Sequence, residues 1–401
     1  MAKRGFFKDE SQKEEFLLFI IALFWLLGLF SAASTMLATT EVSKISDQSF
    51  WFTLQDPGGG SLSYPFICIL YLKFLHLLSG ENILLFMQIA AFSSFLFFLA
   101  SLFVLYKMGI SPKKIFLLSF LVQPLIMILL LRIETVPIFL SILAFWLFHS
   151  GKRMEGWLAL LAGAFFKVFP IFFAPLFLAM ELKNFSRSSA LRLIAVALIS
   201  LLAFSLFPEN MRTVIFNSAR GIQVESIYSN ILLVGEYFFG LGISIELNYG
   251  AHQLVLPAYA EALPQLALGI QVLSVFALSA LFFLKGARKE ELFVYAFLVA
   301  TAMILFSKVF STQFMLWPLI FAIPIFAMPW GNPRIQLKLF PQAAALYLSA
   351  AAAYFAYPVL GYLMVELSPL TLAALTAKNV LLFAVFAWVF LNRENFFLKE
   401  D

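Results

Sequence analysis

The chain has 401 residues, 62% of them hydrophobic and 12% charged, with a formal net charge of +5 at pH 7. No polar block is large enough for a soluble core, which excludes an array of soluble domains and leaves a single polytopic membrane domain over residues 1–401. The basic excess sits in short loops that set orientation, so no nucleic-acid partner is expected, and Cys68, the one cysteine, excludes an internal disulfide and any cysteine-based metal centre.

The first apolar run, 16–38, follows Lys3, Arg4, Lys8 and Lys13 and is longer than the apolar stretch of a secretion signal. It is expected to be retained as a span that leaves the cytoplasm. An outer loop, 39–63, carries Glu41, Asp47 and Asp56, and the outer region continues to residue 82. The run 64–79 is interrupted by Lys73 and His76 and is expected to be an interfacial or re-entrant helix, since a full crossing would put Lys107, Lys113 and Lys114 outside. Spans are predicted at 83–106, 115–131 and 135–149, the last two joined outside by Arg132-Ile133-Glu134. Residues 155–181 are expected to form two short helices meeting near Lys167 and Pro170, which keeps Lys183, Arg187 and Arg192 inside. A span at 189–207 leads to a large outer segment, 208–262, and further spans follow at 264–284, 291–306, 312–329, 341–361 and 375–392. The predicted fold class is therefore an all-α polytopic membrane protein of about twelve transmembrane helices, in the cell (plasma or inner) membrane, with both termini cytoplasmic. No internal repeat is visible, whereas many secondary transporters are built from duplicated halves.

All but eight of the twenty-seven Lys and Arg residues fall in loops assigned to the cytoplasm. A charge held near hydrocarbon is costly and marks function by default, so the outer charges are the candidates. Asp47, in a polar stretch before Phe50, Trp51 and Phe52, is placed to take a proton from an incoming hydroxyl as general base. Glu41 and Asp56 compete for that role, although Asp56 before Pro-Gly-Gly-Gly reads as turn chemistry, and a solvated loop acid accounts equally well for Asp47. Arg132 and Glu134 suit either an ion pair at the interface or recognition of a phosphate by the guanidinium fork. Lys167 lies between Phe165-Phe166 and Val168-Phe169-Pro170, too deep to reach water easily, and calls for an anion such as a lipid-linked phosphate. Arg220, Gln223 and Glu225 lie in the large outer segment, together with His252, a further residue within reach of a substrate there. Lys308 and Gln313 belong to a polar stretch before Trp317-Pro318 that can hydrogen-bond a sugar or a phosphate. Nothing in the sequence requires a divalent metal.

The run Ser307-Lys308-Val309-Phe310-Ser311-Thr312-Gln313-Phe314-Met315-Leu316-Trp317-Pro318 resembles the "KV-x-S-x-Q-[YF]-x-LW" signature of polyprenyl-phosphate-sugar-dependent mannosyltransferases, membrane glycosyltransferases of the GT-C type. Lys167-Val168-Phe169-Pro170 is similar to their "K-[IVL]-[YF]-P" element, and Arg132-Ile133-Glu134-Thr135-Val136-Pro137 looks like "R-F-D-x-x-P" with Glu for Asp. Arg220-Gly221-Ile222-Gln223-Val224-Glu225-Ser226 resembles "R-G-x-Q-x-E-S" of the bacterial branch, and Tyr64-Pro65 a remnant of "Y-P-P". The first mannosyltransferase of GPI-anchor synthesis is a more distant likeness; its Asp-x-Asp has no counterpart here.

The resemblance implies a GT-C-like bundle with a short-helix hairpin. It implies transfer of a mannose-like hexose, with inversion, from a polyprenyl-phosphate sugar to a hydroxyl of a glycolipid or glycan acceptor on the extracytoplasmic side. It also implies Asp47 as catalytic base, with Arg132, Glu134, Lys167, Arg220, Gln223, Glu225, Lys308 and Gln313 around the substrate, and no cofactor beyond the lipid-linked donor. Two other readings remain at this point. A transporter or flippase for an anionic lipid or sugar phosphate explains the outer cations, and a non-catalytic scaffold in an envelope-glycan complex leaves them without chemistry.

Overall fold

The computed structural model describes residues 64–183, 185–327, 333–359 and 368–397. The protein is about 80% helical and membrane-embedded. Helix α1 spans Phe66–Ser79 and α2 spans Ile83–Lys107, the latter capped by Asn82, whose side chain accepts from the Leu85 N–H at 3.0 Å. The expected span 115–131 is broken into α3 (Pro112–Ser119), a tight turn (Phe120–Leu125) and α4 (Ile126–Leu131). Pro124 lies inside that turn and has no N–H to give an α-helical ladder, which accounts for the break.

Helices α5 (Thr135–His149) and α6 (Arg153–Phe166) form a hairpin, and a tight turn (Phe169–Phe173) leads into α7 (Ala174–Lys183). The two short helices expected over 155–181 are thus present, and they part at Lys167 as the sequence indicates. Helix α8 (Arg187–Leu206) then leads to the segment 208–262, which holds α9 (Pro208–Ala219), α10 (Ile227–Phe239) and an antiparallel hairpin of β1 (Ser244–Asn248) and β2 (Ala251–Val255). This hairpin is the one addition to an all-helical plan among the described residues. Helices α11 (Leu263–Leu284), α12 (Leu292–Leu305), α13 (Leu316–Ala327), α14 (Pro333–Tyr354) and α15 (Pro369–Asn392) complete the chain.

Among the described residues, six helical segments are long and apolar enough to cross a membrane, against about twelve expected over the whole chain. The first expected span lies outside the described residues. Several others are short: α5 has 15 residues and α6 and α12 have 14 each. At 1.5 Å per residue these reach about 21–23 Å, less than the roughly 30 Å of hydrocarbon.

The short helices are the inner ones. Every residue of α12 is buried, as expected of a helix that is apolar on all sides. Phe145 of α5 stands at the centre of the core, its ring 5.0–5.8 Å from those of Phe173, Phe177, Phe293 and Phe321. Glycine lets α5 and α6 approach closely: a Cβ at Gly156 would lie 3.1 Å from the Ala144 carbonyl oxygen.

At one end these helices finish in a layer of ion pairs. The Glu181 carboxylate is fully buried and accepts from Arg153 at 3.1 Å and from Arg192 at 2.9 and 2.7 Å. Lys285 pairs with Glu394 at 2.8 Å, and the Lys114 ammonium donates to the Ala327 carbonyl at 2.7 Å. Glu181→Ala, which takes the shared carboxylate from two partly exposed guanidinium groups, is expected to cost about 1 kcal/mol of stability. A lowered melting midpoint of the purified protein in detergent checks this; an unchanged midpoint contradicts it.

Candidate functional site

The opposite ends of the short helices meet in a second polar layer, built from two knots. The first forms where α4 gives way to α5. Arg132 leaves the helix in an extended conformation, and its carbonyl accepts from the Ser94 hydroxyl of α2 at 3.2 Å. Two residues on, Glu134 stands before the first turn of α5 and is fully buried. Its Oε1 receives the Lys167 ammonium and its Oε2 the Trp317 indole N–H at 3.2 Å.

Lys167 reaches Glu134 because α6 ends at Phe166 and the next residue is extended. The chain folds back there, with Pro170 against Gly163, where an added Cβ would lie 3.1 Å from the proline ring. Aromatic rings enclose the pair: Trp317 stacks on Phe169 at 3.8 Å, and the ammonium lies 5.2 Å from the Phe314 ring. The anion that Lys167 calls for in the sequence is thus supplied within the protein by Glu134. Glu134 in turn bonds to Lys167 and Trp317, not as half of a self-contained Arg132–Glu134 pair.

The second knot is the turn Arg220–Ser226 between α9 and α10. The β-hairpin braces it, the Leu254 N–H donating to the Ile222 carbonyl at 2.9 Å and the Val224 N–H to the His252 carbonyl at 3.0 Å. Gly221 donates its N–H to the Gln253 side chain at 2.8 Å, an approach a Cβ would obstruct at 2.7 Å. Glu225 is buried, and both its oxygens are used. Oε1 accepts the Thr312 N–H at 2.8 Å and the Thr312 hydroxyl at 2.7 Å, while Oε2 accepts the Gln223 amide at 2.8 Å. The Glu225 carbonyl receives the Lys378 ammonium from the middle of α15. Burial pushes the Glu225 carboxyl above the usual carboxylate range, against the pull of Lys378 and Thr312.

The Ser307–Pro318 stretch joins the two knots. The Lys308 carbonyl accepts the Gln223 N–H at 2.9 Å, and the Lys308 ammonium, only 3% exposed as a residue, donates to the Ser218 carbonyl at 2.7 Å. Thr312 holds Glu225, and five residues later Trp317 holds Glu134. Gln313 lies half-buried between Thr312 and Phe314. Arg132 lies within electrostatic range of Glu134, Glu225 and Tyr357, so the knots form one charge system. Arg220 feels Glu225 and Tyr64, and burial followed by the neighbouring Arg220 holds the Lys308 ammonium below its ordinary value. The Arg220 Nε is buried with no hydrogen-bond partner among the described residues.

The structure brings Arg132, Glu134, Lys167, Arg220, Gln223, Glu225 and Lys308 into this layer, with Gln313 on the connecting turn. Asp47, Glu41 and Asp56 lie outside the described residues. His252 lends its carbonyl to the second knot, and its buried Nδ1 has no partner among the described residues. Lys378 was not singled out in the sequence, although an ammonium in the middle of an apolar span is the signal that would have found it. Among the described residues, this layer gathers the cations Arg132, Lys167, Arg220, Lys308 and Lys378 and the carboxylates Glu134 and Glu225. Both carboxylates accept hydrogen bonds from protein donors. No group of three or more His, Cys, Asp or Glu side chains able to hold a metal occurs among the described residues. The chain matches no protein-family model and no curated protein.

Two outcomes follow. Lys167→Met strands a buried carboxylate, whereas Lys167→Met with Glu134→Gln removes the pair together. The coupling between the two changes in a double-mutant cycle of detergent melting is expected to be about 2 kcal/mol, and simple additivity contradicts the pairing. Because the folded-state pKa of Glu225 is raised, its contribution to stability is full below the ordinary carboxylate value of 4.5 and is lost as pH rises through the elevated folded value. Melting midpoints measured from pH 4 upward are expected to fall in the wild type relative to Glu225→Gln; parallel curves contradict the shift.

Proposed function

We infer that the protein is an integral membrane glycosyltransferase that moves a mannose-like hexose from a polyprenyl-phosphate sugar to an acceptor hydroxyl on the extracytoplasmic side, with inversion. One observation carries the reading: four motif likenesses separated by up to about 180 residues converge on one polar layer that holds Arg132, Lys167, Arg220, Lys308 and Lys378. A phosphate held there meets Arg220, Lys308 and Arg132, and preorganised cations in a water-poor setting count most where charge develops on a leaving group. In the reaction the acceptor oxygen bonds to the anomeric carbon, and the bond from that carbon to the phosphate oxygen breaks. The acceptor proton passes to Asp47, and the polyprenyl phosphate leaves with the bonding electrons. Asp47 takes this role from the sequence likeness.

The length of the helices supports a lipid-borne donor. The helices beneath the layer lift it only about 21–23 Å from the ion-paired end, while α2 continues some eleven residues beyond the level of Ser94. The layer is thus sunk below the outer edge of a hydrocarbon slab of roughly 30 Å. Apolar side chains exposed on α1 and α2 above it (Phe74, Leu77, Leu78, Leu84) are suited to acyl or prenyl chains. The packed aromatic core around α12 beneath the layer counts against a path for transport through the bundle.

The test supplies purified protein in vesicles with a panel of polyprenyl-phosphate hexoses and candidate acceptors. Donor consumption with an inverted glycosidic product is expected. Arg220→Gln should lower turnover about 100-fold, and Asp47→Asn should abolish it without loss of protein. Movement of the lipid across the bilayer with no consumption would overturn the assignment in favour of a flippase.

A further inference from the structure

Lys378 is buried in the middle of α15, 1% exposed, in a helix with no membrane-facing reason to carry a charge. Its ammonium donates to the Glu225 carbonyl and lies 3.7 Å from the centroid of the Phe310 ring. Behind it, the Ser349 hydroxyl of α14 donates to the Lys378 carbonyl at 2.8 Å, so the lysine backbone is itself held. One side chain therefore touches both the turn that carries Arg220 and the turn that carries Lys308. Those turns are tied to each other by the Gln223-to-Lys308 backbone bond and by the bonds of Thr312 to Glu225.

Stability alone is a poor reason for such a residue. Removing an ammonium from water costs several kcal/mol, and well-packed apolar side chains of similar volume are as good or better for stability at buried ionic sites. An apolar residue would fill the space on α15, but it could not hold the Glu225 carbonyl. Resting on the function inferred above, we propose that Lys378 is a positioning residue of the anion site: it fixes the 220–226 and 307–312 turns to α15 so that Arg220 and Lys308 converge on the phosphate of the lipid-linked donor. It acts through those two residues and is not assigned contact with the donor.

The experiment compares wild type, Lys378→Met, Lys378→Arg and Phe310→Leu as full-length proteins in nanodiscs. Three quantities are read: the melting midpoint, the affinity for a short-chain polyprenyl phosphate, and the affinity for the uncharged polyprenol. In wild type the phosphate is expected to bind at least tenfold more tightly than the alcohol. If it does not, the function inferred above fails at that point, before Lys378 is tested. Given that preference, Lys378→Met is expected to lower the melting midpoint, because the buried Glu225 carbonyl loses its donor, and in the folded protein to lose phosphate affinity about tenfold, with alcohol binding unchanged. Lys378→Arg should recover most of the loss. Phe310→Leu, which removes the ring under the ammonium and keeps an apolar side chain at this buried position, should lose about threefold and decides the matter if Lys378→Met does not fold. Phosphate affinity within twofold of wild type in folded Lys378→Met or in Phe310→Leu would overturn the proposal, as would equal losses for phosphate and alcohol. In turnover assays the effect is expected in KM for the donor, with kcat changed less than twofold; a fall in kcat alone would also overturn it.

Discussion

A carboxylate taken out of water must be answered by donors, and the polar layer of this protein is organised around two such demands. Glu134 is answered by Lys167 and Trp317, and Glu225 by Thr312 and Gln223. Leaving either group unanswered would cost far more than a surface ion pair ever returns, so each acid fixes the chain segments that bring its donors. The segments concerned are the α4–α5 turn, the α6 terminus, the α9–α10 turn and the Ser307–Pro318 stretch. The cations of the layer are held by the same segments, Lys308 by the Ser218 carbonyl and Lys378 by the Glu225 carbonyl.

The depth of the layer follows from helix length. Inner helices of 14 or 15 residues cannot cross hydrocarbon, and they do not need to, because longer helices surround them and shield their ends from lipid. Irregular backbone at membrane depth is tolerated only inside protein or against a cavity. The extended residues Arg132, Lys167 and Arg220 all lie in such a place.

Much of this was legible in the sequence where a local chemical conflict announced it. An ammonium followed by Pro170 inside an apolar run marks a break, and the helix does end at Phe166. The end of α5 and the course of α11 follow from apolar length and flanking charge. Pairing was less legible, since Glu134 and Lys167 are 33 residues apart and sequence alone does not choose between partners. The expected span 115–131 falls within the apolar segment Pro112–Leu131, and Pro124 marks where its helix tightens into a short turn. The hairpin was hidden for a different reason. Its turn needs Tyr249 and Gly250 at φ of 50° and 70°, and a tyrosine is an unusual residue for such a conformation. Lys378 was overlooked because a span was read by its average hydropathy, and one charge barely moves an average. The loop with Asp47 lies outside the described residues.

The two turns that carry Arg220 and Lys308 are tied to a lysine in α15 that follows them by more than 60 residues. A ribosome releases these parts in order, and a translocon hands them to the bilayer in the same order. The turns must therefore wait, without their anchor, until α15 is integrated, and the polar layer is among the last parts of the described structure to close.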